Sequence, residues 1–219
     1  MARIHVFADE AGNFDFSAKP GASRYFILTT VAMGDFGAGD ALLALRRQLA
    51  WEGHDQGTND FHATEELQSV RDRVFAVLAT WDVRIDCTIL DKIKTAPHLA
   101  NDDIRFYKLA WYLHFKHLAP LITRPGDELF VMGASLGTKK KREGFRTAID
   151  DVVAQVTRGV EFRTASWAGA SDPCLWVADY CCWAIQRKWE RRDPRSYALI
   201  ETKIRSEFDV FRDRTTTYY

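Results

Sequence analysis

The sequence predicts an α/β fold in one domain spanning residues 1–219: a mixed five-stranded sheet with helices on both faces and helical insertions. Three observations lead there. Two apolar stretches near the start, "RIHVFAD" and "RYFILTTVAM", are joined by a loop containing Pro20 and Gly21, which suits an antiparallel pair. Later strand-like stretches are separated by segments with helical spacing, the pattern of a layered α/β sheet. The 219 residues are 47% hydrophobic and 27% charged, enough to bury a core without staples.

Taken in order, residues 3–9 read as a strand that opens into the turn-forming "EAGN". Residues 24–33 form a second strand, apolar enough to be covered on both faces. "GDALLALRRQLAWEG" carries helical spacing at Leu42, Leu45 and Leu49, and another helix is expected over 65–80. "DVRIDCTILD" alternates Val83, Ile85, Cys87 and Ile89 with polar residues and reads as a half-exposed strand. A long amphipathic helix over 102–122 stops before Pro125 and Gly126. "ELFVMGAS" is a short buried strand, "KKKREGFRTAIDDVVAQV" a helix and "GVEFRTASW" a strand. Helices are expected over 173–190, started by Asp172 and Pro173, and over 195–211, with "RTTTYY" as a frayed tail.

Composition narrows the functional classes. Thirty basic and thirty acidic residues leave no net charge, so any grip on nucleic acid must come from a local patch. Cys87, Cys174, Cys181 and Cys182 are badly spaced for a disulfide framework and contain no C-x-x-C pair for zinc. Buried, reduced thiols in a cytoplasmic protein are expected. "MARIHVFADEAG" lacks the apolar core of a signal peptide, and no apolar run approaches the roughly 18 residues of a spanning helix. No membrane partner is expected.

The chemistry concentrates in "DPCLWVADYCCWAI", where Asp179 falls within an apolar helix. Its helical neighbours are Leu175, Trp176, Cys182 and Trp183, and an ionised carboxylate in that company needs a partner or a metal. A bond to a buried cation or Trp N–H elsewhere in the fold would be purely structural. Asp9 and Glu10 sit where the first strand meets its glycine turn, and turn chemistry alone could place them there. Their side chains leave the strand on opposite faces, and Asp9, in register with His5 and Phe7, is the inward one.

An early-strand Asp and a late-helix Asp meeting over the ends of a sheet resemble the RNase H-like nuclease plan. There, carboxylates from distant parts of the chain hold two Mg²⁺ ions about 4 Å apart. The segments "VFADEAGNF", "YFILTTVAM", "FHATEEL" and "PCLWVADYCCWAIQRKWE" together resemble a bacterial family known as domain of unknown function 3800. That family is regarded as RNase H-like and nucleolytic, and the resemblance covers essentially the whole chain. It implies Asp9, Glu10, His62 and Asp179 as catalytic residues and Mg²⁺ or Mn²⁺ as cofactor. Ala11 stands where the family usually has Ser. A larger departure lies in the strand beside the first, where the plan expects an acid and Gly133, Ala134 and Ser135 stand instead. A third metal ligand would come from Asp60, Glu65 or Glu66, or from Asp91, with Glu65 the expected one.

Other side chains have two readings each. His62 binds a phosphate or protonates a leaving group, or it caps the following helix together with Thr64. His114 and His117 share a helix face, which reads as solvated because no third zinc ligand stands nearby. Lys139, Lys140, Lys141 and Arg142 open a helix just beyond the expected site; they grip a phosphate backbone or merely face solvent. "QRKWERRDPR" adds a second basic cluster, with Trp189 as a stacking surface. The expected function is a metal-dependent nuclease with nucleic acid as partner. The alternative is a degenerate domain that binds nucleic acid, a protein partner or a second copy of itself without cleavage.

Overall fold

The computed structural model describes residues 2–17, 19–54, 61–137 and 139–212, and for Lys139 and Lys140 the backbone alone. Among them are six strands: β1 Arg3–Ala11, β2 Tyr25–Met33, β3 Arg84–Asp91, β4 Glu128–Ala134, β5 Glu161–Trp167 and β6 Ile204–Asp209. The helices are α1 Gly37–Trp51, α2 Gln68–Thr80, α3 Pro97–Ala100, α4 Asp103–Ile122, α5 Lys139–Val156, α6 Pro173–Arg191 and α7 Arg195–Ile200. The expected "RTTTYY" tail lies outside the described residues.

The sheet runs β5-β4-β1-β2-β3-β6. β1 is antiparallel to β2, pairing Asp9 with Thr29, and parallel to β4, pairing Ala8 with Gly133. β2 and β3 are antiparallel, while β4–β5 and β3–β6 are parallel. Alternate residues of β1 divide the core. Phe7 packs with Leu42, Val74 and α6 on one face; Val6 and Ala8 pack with Phe106, Trp111 and Val152 of α4 and α5 on the other. Helices therefore cover both faces.

α6 shows why its sequence is so apolar. It lies against β1, β2, α1 and α7, so residues around most of its circumference are buried. Asp172 starts it by accepting from the Cys174 amide at 2.8 Å, with Pro173 in the first turn, and Arg192 ends it at φ 55°. All four cysteines are free and buried. Among the described residues no helix is long and apolar enough to cross a membrane.

The sixth strand is a departure from the five expected. The helix expected over 195–211 ends at Ile200, and the chain then extends along the open edge of β3, pairing Cys87 with Glu207. A free row of backbone groups on β3 outweighs the weak local helical pattern of "ETKIRSEFDVF". β3 is correspondingly buried rather than half-exposed. Its polar residues are satisfied inside the protein: Asp86 accepts from Arg84 Nε at 2.7 Å and Ser206 Oγ at 2.7 Å, and Thr88 Oγ1 lies 2.9 Å from His114 Nδ1. His114 is buried and also bonds Thr30 Oγ1 at 2.7 Å, so it belongs to the core and not to a solvated face. His117 stacks on Phe208.

Candidate functional site

Asp9 sits near the end of β1, on the face that Phe7 shares with α6. Asp179 comes from the second turn of α6, and His62 from the segment leading to α2. These three and Glu10 line one cavity of about 390 Å³. Its walls include Leu175, Trp176 and Trp183 of α6, the 169–170 turn before that helix, Ala134 at the end of β4, and Ser135 and Leu136 beyond it.

Asp179 is held by the loop it faces. Its Oδ1 lies 3.1 Å from His62 Nδ1, and its Oδ2 accepts the Ala63 amide at 2.7 Å. The loop is further tied by Arg71, which donates to the Ala63 and Glu66 carbonyls. The carboxylate side chain is 17% exposed and the imidazole 48%. The bond to Asp179 raises the His62 pKa to about 9, with the charges of Asp179, Glu65 and Asp9 adding to it. His62 therefore carries a proton at neutral pH. It does not cap α2: that helix begins at Gln68, and Leu67 before it offers no capping side chain. Thr64 does not cap it either.

The two carboxyls on β1 part company. Asp9 is dehydrated by its surroundings and lies in the field of Asp179 and then Glu10; all three effects raise its pKa well above the carboxylate range. Glu10 turns to the α4 face, where its Oε1 accepts from Tyr107 Oη at 2.6 Å and from Trp111 Nε1 at 3.3 Å. Burial pushes its pKa to about 7 against the pull of those two donors. Oε2 of Glu10 is buried and has no hydrogen-bond partner. The turn that follows is fixed by Gly12 at φ 103°, where a Cβ would fall 2.3 Å from the Tyr25 carbonyl.

No family model matches the chain, and no curated protein matches it.

The remaining expected residues are placed as follows. Glu65 is exposed beside His62, near enough for its charge to act on the imidazole, but it does not line the cavity. Asp60 lies outside the described residues. Asp91 is buried at the end of β3, where it pairs with Arg24 at 3.0 Å and bonds the Ile93 amide, so it is used elsewhere. Lys139, Lys140, Lys141 and Arg142 do open α5, but Lys141 pairs with Asp103 of α4 and Arg142 Nε bonds the Gly137 carbonyl at 3.1 Å. The second basic cluster is partly paired: Arg187 and Arg195 share Asp193, Lys188 and Trp189 both bond Glu207, and Arg191 and Arg192 are exposed. Trp189 packs edge-on against Tyr25, so its indole is not a free stacking surface.

Tyr107 and Trp111 were not foreseen from the sequence as the partners of Glu10. Their signal was two amphipathic aromatics four residues apart, each with a polar group to satisfy on a buried helix face.

Among the described residues no group of three or more His, Cys, Asp or Glu side chains is arranged to hold a metal ion. Mg²⁺ does not need one, since one or two carboxylates commonly hold it while waters and substrate phosphates fill the other positions. Asp9 and Asp179 offer hard oxygen donors of that kind, and Glu10, whose Oε2 is buried without a hydrogen-bond partner, lines the same cavity. Each Asp179 oxygen has one protein partner and keeps a lone pair for a cation. The donor set fits the ion.

Proposed function

We propose that this chain is a divalent-metal-dependent phosphodiesterase acting on nucleic acid, built on an RNase H-like plan and belonging to the domain of unknown function 3800 family. The observation that carries the reading is the convergence of Asp9 and Asp179, from opposite ends of the chain, on one cavity at the sheet end. The parallel pairing of β4 with β1 supports the plan, which sets its fourth strand beside the first, and β6 is then an addition at the far edge.

Asp9 and Asp179 would hold Mg²⁺ or Mn²⁺, with Glu10 beside them. When bound, the ion supplies a Lewis acid for a phosphoryl oxygen and an acidified water. His62, protonated and half exposed at the cavity, binds a phosphate oxygen or gives its proton to the leaving oxygen. A group that keeps its proton up to about pH 9 suits the acid role and not the base role. The start of α5, which follows the Leu136 wall, offers backbone amides with Lys141 and Arg142 beside them as a grip for the substrate backbone.

The test is cleavage of labelled single-stranded DNA, duplex DNA, RNA and hybrid with Mg²⁺, Mn²⁺ or EDTA. Cleavage is expected with metal alone and lost in Asp9→Asn and Asp179→Asn. Cleavage that persists in both variants defeats the reading.

A second reading, a nucleic-acid- or protein-binding domain without cleavage, is favoured by one feature: β4 ends in Gly133 and Ala134, with no acid beside Asp9. An intact fold that binds neither Mg²⁺ nor Mn²⁺ in calorimetry would favour it.

A further inference from the structure

We infer that Tyr107 and Trp111 are positioning residues that fix Glu10 as the third carboxylate of the cavity, in place of the acid that β4 lacks. This deepens the metal-dependent reading above and rests on it. Glu10 leaves β1 toward α4, and Tyr107 Oη and Trp111 Nε1, one helical turn apart, both donate to the same oxygen, Oε1, at 2.6 and 3.3 Å. Neither donor is free to follow a moving carboxylate. Both rings are fully buried, Tyr107 against Phe145 at 4.6 Å between centroids and Trp111 stacked on Phe115 at 5.3 Å. With Oε1 fixed twice, the rotation of the carboxyl group is set. Oε2 is left buried and unpartnered on a residue that borders the cavity. A native protein rarely leaves such an oxygen unsatisfied, and an absent ligand is one of the few physical reasons for it.

The bare end of β4 belongs to the same arrangement. Gly133 pairs with Ala8, and a Cβ there would come within 3.0 Å of Ile149 and 3.4 Å of Trp111. The tight contact would be with Ile149, whereas Trp111 would be met at ordinary van der Waals distance, so the ring lies directly against the bare strand end. The strand that fails to supply an acid thus lies against the residue that holds Glu10.

The experiment titrates Mg²⁺ and Mn²⁺ alone into the full chain by calorimetry, with thermal melts to verify folding. The unaltered chain is compared with Glu10→Gln, Tyr107→Phe and the double variant. Tyr107→Phe keeps the ring and should weaken binding by about tenfold, the scale of effect seen when the partner of a metal ligand is removed. Glu10→Gln should weaken it at least as much, and the double variant no more than Glu10→Gln alone, because Tyr107 acts only through Glu10. If Tyr107→Phe does not fold, Trp111→Phe serves in the same cycle. The assignment is overturned if Tyr107→Phe leaves affinity unchanged, or weakens it equally in the Glu10→Gln background. It is also overturned if Glu10→Gln binds normally while Asp9→Asn does not bind, and in that case the metal-dependent reading survives. Failure of the unaltered chain to bind either ion would overturn both.

Discussion

His62 Nδ1 lies 3.1 Å from Asp179 Oδ1, while the amide of the next residue, Ala63, donates to the other oxygen of the same carboxylate. Asp179 is therefore the anchor of a loop as well as a wall of the cavity, and its chemistry and its structural role can be separated by experiment.

The pair makes stability depend on pH in a defined window. The folded pKa of His62, about 9, is above its ordinary value of 6.5. The contribution is thus complete below pH 6.5 and disappears as pH rises through 9. In EDTA, the gap in melting temperature between the unaltered chain and His62→Asn should narrow from pH 6 to pH 10. An imidazole that titrates near 6.5 by NMR would contradict this.

Asp179→Asn should lower stability by about 1–3 kcal/mol, because a charged acceptor is lost from two hydrogen bonds. The His62 pKa should fall back toward its ordinary value in the same variant. Urea melts and the imidazole titration check the two halves, and an unchanged urea midpoint would mean that the loop is held by Arg71 alone.

Ala134→Asp places a carboxylate one residue past the Ala8–Gly133 pairing, on the Asp9 side of the sheet. Without metal it should destabilise the fold by about 1–3 kcal/mol through like-charge repulsion and burial. With Mg²⁺ it should bind roughly tenfold more tightly, and the lost stability should return with the logarithm of ion concentration once that exceeds the dissociation constant. Calorimetry and melts at stepped Mg²⁺ decide it, and a loss of stability that Mg²⁺ cannot restore would count against this placement.

His114 has both ring nitrogens bonded to threonines, and burial lowers its pKa to about 4. The unfolded chain takes up that proton first, so stability should fall as pH drops from 6.5 toward 4. His114→Ala should cost about 2–4 kcal/mol at pH 7, from a cavity and the orphaned Thr88 hydroxyl, since Thr30 Oγ1 keeps the Asp86 carbonyl. A His114→Gln variant should be less sensitive to acid over the same range. Equal sensitivity in guanidinium melts would assign the acid response to other groups.

Much of this architecture was legible locally. Apolar runs marked β1 and β2, Asp172 and Pro173 marked the start of α6, and a charge among Trp176, Cys182 and Trp183 marked Asp179 as a residue in need of a partner. What stayed hidden depends on distant partners. β6 exists because β3 has a free edge, which no local pattern in residues 204–209 announces. Asp86 and Thr88 look like a solvated face until Ser206 and His114 arrive from elsewhere in the chain. The site follows the same division. Asp9 and Asp179 stood out by their settings and His62 through the family resemblance, whereas the grip of Tyr107 and Trp111 on Glu10 spans about a hundred residues. Glu65 was assigned by proximity in sequence, and the loop turns it outward.

Glu207 bears on how binding experiments with this chain should be designed. Its two oxygens take Lys188 Nζ at 2.9 and 3.1 Å, Trp189 Nε1 at 3.0 Å and Tyr197 Oη at 2.8 Å. A fragment ending before β6 would lose this counter-charge. The cationic end of α6 and an unpaired indole would then face water, an adhesive surface for any polyanion. Retention of nucleic acid by such a fragment would report the truncation and not the cavity, so Glu207→Gln in the full chain is the control that separates the two.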